Sequence, residues 1–296
     1  MSEAGGRLVV VATPIGNLGD LSPRAVEALA GADVIACEDT RRTRALLTAA
    51  GVRAPRLLAV HDANEAERAD AVVALLEGGT TVALVSDAGT PAVSDPGQRV
   101  VAAAVAAGHP VTVVPGPSAA IAALVASGLP TDRFVFEGFL PRKGAERGRR
   151  LAATAAEQRT VVLYEAPHRV ARTAADLAAA CGPDRPVALA RELTKVHEEV
   201  WRGTLRDLVA RVAEVAPRGE HVLVLGGAAE AAAAGDADIE AALADRLAAG
   251  DDRRAAVAAV TEALGVPRRR VYELSLGKVA PPASPSAQSG QTGLPR

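Results

Sequence analysis

The segment whose residue types are best suited to bind a ligand is 86–97, with the sequence Ser-Asp-Ala-Gly-Thr-Pro-Ala-Val-Ser-Asp-Pro-Gly. Two Asp, two Gly and two Pro within twelve residues are too many turn-forming residues for a simple hairpin. The apolar run at 81–85 directly before them predicts a buried parallel strand. Open α/β sheets bind their ligands at the carboxyl ends of strands, so we predict a shaped ligand-binding loop here. An ordinary strand-to-helix connection is the alternative at this point.

Four more segments rich in polar, Gly or Pro residues follow predicted strands. They are 13–20 (TPIGNLGD), 38–43 (EDTRRT), 115–119 (PGPSA) and 164–169 (YEAPHR). Because ligand-binding loops of such sheets gather at the strand ends, these segments could meet in one cleft. Simpler roles stay open, since Glu38 and Asp39 could cap a helix and His168 could be a capping or core residue.

Familiar cofactor and metal signatures are missing from the sequence. Neither the GxGxxG pattern of dinucleotide-binding loops nor the GxxxxGK[ST] pattern of phosphate-binding loops occurs. The pair His197-Glu198 lacks a second histidine at the spacing of a zinc motif, because Trp201 occupies that position. The five histidines are scattered, so we expect no metal site.

Short apolar runs alternate with helical patterns along the chain, and over residues 8–114 this alternation predicts a mostly parallel sheet. The predicted strands are 8–12, 34–37, 57–60, 81–85, 111–114, 133–137, 160–164, 187–191, 198–202 and 221–225. A helix is expected at 23–30, because Ser22 suits the N-cap and Pro23 the first helical position. Further predicted helices are 64–76, 97–107, 145–156, 169–180 and 205–215, with another starting at Ser118.

The clearest break in this alternation is Pro115-Gly116-Pro117-Ser118, where we place a domain boundary. The predicted domains are 1–116 and 117–228, both of α/β type. An Ala-rich linker at 228–235 leads to a small unit at 236–278, whose three helical patterns resemble a helix-turn-helix. Residues 279–296 are rich in Pro, Ser, Gly and Gln and are predicted to be disordered.

The composition fits a protein with a large core and more than one domain. The chain has 296 residues, 49% of them hydrophobic and 2% aromatic, with a formal net charge of −2. Cys37 and Cys181 lie in apolar surroundings without CxxC spacing, so we expect both to be reduced. No apolar run is long enough to span a membrane and residues 1–7 do not resemble a signal peptide, so we expect a cytoplasmic protein.

Positive charge is concentrated in three clusters, at 41–44, 142–150 and 268–270. The overall charge does not indicate a generally basic nucleic-acid binder. Each cluster alone could be a solvated surface. Three of them on a slightly acidic chain favour focused contacts with phosphate groups.

The five polar segments, with 191–195 (RELTK) and 203–205 (GTL), resemble the tetrapyrrole-methylase superfamily. Within it, the combination TPIGNL, EDTR, SDAGTP, PGPSA and EAPHR is similar to the bacterial 16S rRNA (cytidine-1402)-2'-O-methyltransferases. The resemblance covers residues 8–225, and the terminal helices resemble the helical extension of those enzymes. It implies two α/β domains with a cleft between them, S-adenosylmethionine bound in that cleft, a homodimer, and methylation of a cytidine ribose in 16S rRNA or the small ribosomal subunit.

Site residues carry over by their positions in these motifs. The resemblance implies an S-adenosylmethionine site lined by Pro14, Asp87, Gly89, Thr90, Val93, Ser118, Ala119, Tyr164, Glu165 and Leu193. Methyl transfer to a ribose hydroxyl is an in-line displacement that alignment and a nearby base would assist. The candidate bases are Glu38, Asp39, Glu165, His168 and Lys195. The cations best suited to RNA phosphates are Arg41, Arg42, Arg142 and Lys143.

Two other functions stay open. A tetrapyrrole (porphyrinoid) methyltransferase is one, although the basic loop at 141–144 and the terminal helices disfavour it. A non-catalytic RNA-binding adaptor is the other, and the acidic and glycine-rich segments at strand ends disfavour that.

Overall fold

The computed structural model describes residues 5–229 and 234–277. These residues fall into two compact units, Met1–Ala228 and Ala229–Arg296, which we describe separately. The predicted disordered tail at 279–296 lies outside the described residues, as do residues 230–233 of the Ala-rich linker. Among the helices described, none has the length and apolar character needed to cross a membrane.

The elements follow the predicted alternation closely. The strands are β1 (Arg7–Val11), β2 (Val34–Cys37), β3 (Arg56–Ala59), β4 (Thr81–Val85), β5 (Val111–Val114), β6 (Phe134–Phe139), β7 (Thr160–Glu165), β8 (Pro186–Arg191), β9 (Glu199–Thr204) and β10 (His221–Leu225). The helices of the first unit are α1 (Pro23–Ala30), α2 (Thr40–Ala49), α3 (Glu65–Glu77), α4 (Gln98–Ala106), α5 (Ala119–Ser127), α6 (Gly144–Ala156), α7 (Pro167–Cys181) and α8 (Leu205–Glu214). Helix α1 begins as predicted, with Ser22 Oγ accepting a hydrogen bond from the Ala25 amide at 3.1 Å.

The first sheet has the order β3-β2-β4-β1-β5, and all its neighbouring strands are parallel. Beyond the first residues of β1 and β4, its central strands are apolar and buried because helices cover both faces. Cys37 is buried in one of these cores, and both it and Cys181 are free thiols. The carboxyl ends of the strands lie along one edge, where the segments at 13–20, 38–43, 86–97 and 115–119 begin.

The second sheet has the order β6-β7-β10-β8-β9 and is mixed. Only β6 and β7 are parallel in it, whereas the other neighbouring strands are antiparallel. The seven residues between β8 and β9 contain no helix, and so short a connection makes an antiparallel pair. Helix α5 packs on one face of the sheet, while α7 and α8 cover the other.

The second unit contains α9 (Asp236–Ala248), α10 (Arg253–Leu264) and α11 (Arg268–Ser275). A small core formed mainly by Ile239, Leu243, Val257, Val260 and Val271 holds the three helices together. Helix α10 begins at a cap formed by Asp252, whose carboxylate accepts a hydrogen bond from the Ala255 amide at 2.7 Å. The predicted terminal helices are therefore present.

Candidate functional site

Three of the predicted loops are joined at the edge of the first sheet. Thr13 and Gly89 exchange two backbone hydrogen bonds, of 2.9 and 3.0 Å, so the first loop and the loop at 86–97 form a two-residue bridge. The Thr13 hydroxyl also donates to the Ser86 carbonyl at 3.2 Å. The Thr90 hydroxyl donates to the Pro117 carbonyl at 3.4 Å and brings in the segment at 115–119. The backbone at this edge is thereby fixed in shape.

The loop at 86–97 has an unusual backbone that depends on these contacts. Gly89 has a φ of +80°, and Ala92 and Ser94 have φ values of 68° and 63°, where side chains are disfavoured. The far end of the loop is held by Glu65, which is buried and accepts hydrogen bonds from the amides of Gly97 (2.8 Å) and Arg99 (2.9 Å). The sequence did not single out Glu65, because its partners lie more than 30 residues away.

A cavity of about 290 Å³ lies between this edge and the strands β6, β7 and β10 of the second sheet. Seven of the ten residues implied for the cofactor site line it, namely Gly89, Thr90, Val93, Ser118, Ala119, Tyr164 and Glu165. Pro14 and Asp87 instead line a second cavity of about 440 Å³ between the first loop and α2. Leu193 is buried beside Ile15 in the core under the first cavity. The predicted segments therefore meet in a cleft, although they divide between two cavities.

Tyr164 connects the two walls of the first cavity. Its hydroxyl oxygen accepts a hydrogen bond from the Ala120 amide, in the first turn of α5, at 3.2 Å. Its ring meets those of Phe136 and Phe139 edge-on, with centroids 5.0 and 5.6 Å apart. Burial raises the pKa of this phenol, so it remains neutral at physiological pH. The geometry makes Tyr164 a rigid part of the wall.

Glu165 is almost completely buried, and its carboxylate is fully engaged. It accepts hydrogen bonds from the Thr173 hydroxyl at 2.6 Å and from the Ala166 amide at 2.9 Å. It also forms an ion pair with Arg169 at 3.1 Å. These partners hold the start of α7 against the end of β7, so the carboxylate fixes this part of the wall.

Carboxylates gather beside the cavity at the ends of β2 and β4. Asp87 accepts a hydrogen bond from the Asp39 amide at 3.0 Å and lies 3.5 Å from the guanidinium of Arg42. Burial and the negative charge of Asp87 raise the pKa of Glu38. Burial and the charge of Glu38 raise the pKa of Asp95 to about 6. Asp95 lines the first cavity. It lies within the loop at 86–97, but it is not among the site residues predicted from the sequence.

The other candidate bases are placed differently. Asp39 pairs with Arg41 at 3.0 Å, and this hydrogen bonding holds the pKa of Asp39 down at about 2. His168 is exposed in the first turn of α7 and does not line the cavity. Glu38, in contrast, combines partial burial with a raised pKa.

Lys195 lies in a separate ion-pair network. Its Nζ lies 3.0 Å from Glu192 and 2.9 Å from Glu220. Burial alone would lower the pKa of Lys195, but the two carboxylates outweigh it and raise the pKa. The amine stays protonated at neutral pH and cannot act as a base there. Its aliphatic chain packs so closely on Gly16 that a Cβ at that position would collide with it, which connects 191–195 to the first loop.

The predicted RNA-contacting cations are on the surface. Arg41 and Arg42 are exposed near the carboxylates of Asp39 and Asp87, with which they pair. Arg142 and Lys143 are exposed in the loop before α6. Within residues 5–229 and 234–277, neither of these two forms an ion pair.

Comparison with known proteins identifies the protein family to which this chain belongs. Residues 7–209 match the family described as Tetrapyrrole (Corrin/Porphyrin) Methylases. The chain belongs to the tetrapyrrole methylase family. Its fold and its activity as a methylase follow from this membership, and the resemblance seen in the motifs is confirmed.

Individual members of the family show how far the similarity extends. The chain is 47% identical over 273 residues to "Ribosomal RNA small subunit methyltransferase I" of Synechocystis sp., covering 92% of this chain and 98% of that protein. The crystal structure of uroporphyrin-III-C-methyltransferase from Thermus thermophilus superposes with a TM-score of 0.54 at 26% identity, covering 75% of this chain and 94% of the other. A structure of the Thermus thermophilus enzyme complexed with S-adenyl homocysteine superposes with a TM-score of 0.53 at 24% identity, covering 75% of this chain and 97% of that one, and shows the same fold.

Proposed function

We propose that this protein transfers a methyl group from S-adenosylmethionine to the 2'-hydroxyl of a cytidine in small-subunit ribosomal RNA, in the cytoplasm. The observation that carries the proposal is the cavity where three joined loops of the first sheet face β7 and β10. The name of the Synechocystis relative, matched over 98% of its length, supports the RNA target. The choice of a ribose oxygen of cytidine rests on the motif resemblance.

The residues of the first cavity fit S-adenosylmethionine. Small-molecule sites typically enclose roughly 300–1,000 Å³, and this cavity lies at the small end of that range at about 290 Å³. Val93 and Phe139 supply apolar walls suited to an adenosine group, and the carboxylate of Asp95 suits a cationic one. Gly89 allows the backbone to approach the ligand, while Ser118 begins α5. We propose that Gly89, Thr90, Val93, Ser118 and Phe139 hold the cofactor.

When bound, S-adenosylmethionine would supply a methyl group carried on a positively charged sulfur. The ribose oxygen would form a bond to the methyl carbon as the bond from that carbon to sulfur breaks, and the sulfur would leave as a neutral thioether. The protein must align the two reacting atoms, exclude water and receive the hydroxyl proton. We propose that the carboxylate of Asp95 accepts the proton of the ribose hydroxyl. It lines the cavity, and a base with a pKa of about 6 is mostly ionised at neutral pH yet still basic enough to help.

Glu38 acts through Asp95 in this proposal. Its charge is one of the two main reasons why the pKa of Asp95 is raised, and burial is the other. We therefore treat Glu38 as a positioning residue that makes Asp95 more basic. Replacing Glu38 by Gln should therefore lower the pKa of Asp95 and shift the pH profile of methyl transfer to lower pH.

The RNA substrate is expected to cross the surface that carries Arg142 and Lys143. Both are exposed in the loop before α6, and cations in such positions bind phosphate oxygens without reading sequence. Arg41 and Arg42 lie near Asp39 and Asp87, closer to the carboxylates at the sheet edge. We propose that all four cations contact the RNA backbone.

We propose a homodimer formed through an apolar surface of the first unit. The edge strand β5 leaves Val113 exposed, and the neighbouring helix α5 exposes Ile121 and Val125. A sheet edge with exposed apolar side chains is a surface that proteins usually cover. A second copy of the chain would cover it.

Methyl transfer from labelled S-adenosylmethionine to three acceptors tests the proposed function. The acceptors are small ribosomal subunits, naked 16S rRNA and a porphyrinoid. We expect label in one or both RNA acceptors and none in the porphyrinoid. Label in the porphyrinoid alone would establish the tetrapyrrole alternative, and RNA binding without transfer to any acceptor would establish the adaptor.

A further inference from the structure

The second unit contains a basic groove that the methyl-transfer site does not use. It lies between α10 and α11 and has a volume of about 700 Å³. The residues that line it are Arg253, Arg254, Val257, Arg268, Arg269 and Tyr272. Every lining residue except Val257 is exposed, so the groove is open to a macromolecule.

Charge in this unit is sorted between the groove and the remaining surface. Residues 234–277 hold six arginines and eight acidic residues, yet four of the arginines and none of the acidic residues line the groove. Within that range, Arg269 is the one groove arginine in an ion pair, at 3.0 Å from Glu273. The other three guanidinium groups are not neutralised by a carboxylate of the unit. The groove therefore attracts anions although the unit as a whole is not basic.

The positions of these arginines are unfavourable for the helices themselves. Arg253 and Arg254 occupy the first turn of α10, and Arg268 and Arg269 occupy the first turn of α11. The start of a helix carries a partial positive charge and is stabilised by acidic residues, whereas cations there are repelled. Neither helix has an acidic residue in its first turn, although the N-cap carboxylate of Asp252 directly precedes α10. The binding of an external anion explains the position of these arginines better than a contribution to helix stability does.

Tyr272 adds an aromatic face to the groove. It is one of two tyrosines in the chain, and its side chain is about half exposed beside Arg268 and Arg269. A solvent-exposed aromatic ring next to guanidinium groups can stack on an unpaired nucleobase while the arginines bind the flanking phosphates. Bases inside a duplex are stacked on each other and cannot use such a ring.

We propose that this groove binds a single-stranded stretch of the RNA substrate, with arginines on the phosphates and a base stacked on Tyr272. The inference rests on the proposed function for the identity of the RNA. It goes further by assigning a second contact site on a different unit and by specifying an unpaired segment.

The test uses the full chain and a fluorescent mixed-sequence oligoribonucleotide, single-stranded or annealed into a duplex. Removing a stacking partner typically weakens single-strand binding by about fivefold to a hundredfold, so we expect that loss for Tyr272→Ala. Tyr272→Phe keeps the ring and should bind like the wild type. Neither substitution should change duplex binding, and circular dichroism checks that both variants fold.

The arginines are tested through the salt dependence of binding. Each phosphate contact to a single strand contributes about 0.7 to the slope of log affinity against log salt, so Arg253→Gln/Arg268→Gln should flatten the slope by about 1.4. Arg53→Gln/Arg56→Gln removes the same charge from exposed positions outside the groove and is the matched control.

The outcomes separate this inference from the proposed function. Unchanged single-strand affinity for Tyr272→Ala, or equal losses for single strand and duplex, would overturn the groove assignment. Wild-type methylation of small subunits would leave the proposed function intact in that case. Absence of methylation by the wild type would reject the proposed function, whereas the oligonucleotide results would still decide whether the groove binds single strands.

Discussion

Replacing Asp95 by Asn should stabilise the protein at neutral pH while impairing methyl transfer. Burial and the charge of Glu38 raise the pKa of Asp95 from 3.8 to about 6, and Asp87 and Asp62 add to the same effect. Between these two pH values the native state holds a proton that the unfolded state has lost. The free energy of unfolding therefore falls as pH rises through this window, and the neutral amide of Asn avoids that loss.

The size of the effect follows from the shift. A difference of about two pKa units at about 1.4 kcal/mol each gives about 3 kcal/mol as an upper figure. Asp95 is partly accessible to solvent, and screening reduces the figure to about 1.5–3 kcal/mol. We expect Asp95→Asn to exceed the wild type by that amount above about pH 7. The difference should shrink steadily as the pH falls below about 6 and approach zero only below about pH 3, where both states of the wild type are protonated.

Urea unfolding of the wild type and Asp95→Asn across pH 4.5–8 measures this difference. Asp70→Asn, at an exposed position on α3, is the matched control and should stay within about 0.5 kcal/mol of the wild type throughout. In parallel, loss of the general base should lower kcat about 10²- to 10⁴-fold. A stability difference that does not vary with pH would refute the argument for a destabilised carboxylate, and full activity of Asp95→Asn would refute its role as the base.

Three further predictions concern the cofactor, the RNA surface and the second unit. Gly89→Trp should abolish S-adenosylmethionine binding measured by calorimetry, whereas Gly108→Trp, at a similar φ of +78° but outside the cavity, should bind normally; equal binding by both would remove Gly89 from the site. Arg142→Glu/Lys143→Glu should weaken RNA binding and reduce its salt slope by about 1.4 if both contact a single strand, with cofactor affinity unchanged; a wild-type slope would mean that the loop is only a solvated surface. A chain ending at Ala228 should fold and bind the cofactor but methylate RNA poorly, because it lacks the groove formed by α10 and α11; full methylation of RNA by that shorter chain would contradict an RNA role for the second unit.

The sequence was most informative where local pattern decides structure. Apolar runs such as 34–37, 81–85 and 221–225 became strands with the predicted bounds, since a short run between turn residues has few other folded forms. The direction of a strand is not encoded in that pattern. For this reason the antiparallel pairing of β10 with β7 and β8 could not be predicted from its apolar run.

The motifs predicted which loops meet at the cavity, but they did not show what each residue of those loops does. Glu165 looked like a base, yet Arg169, Thr173 and the Ala166 amide occupy its oxygens. Asp95 was passed over, although burial and the charge of Glu38 raise its pKa to about 6. The acidity of a carboxylate depends on burial and on charges distant in sequence, which only the fold brings together.

The chemical position of the transferred methyl group tests the central claim most directly. A 2'-O-methyl ribose has no free hydroxyl to attack the adjacent phosphate, so alkaline hydrolysis leaves that linkage intact. Small-subunit RNA labelled by this protein from methyl-labelled S-adenosylmethionine should therefore release its label in an alkali-resistant dinucleotide that begins with cytidine. Label released in mononucleotides would place the methyl group on a base and contradict the account.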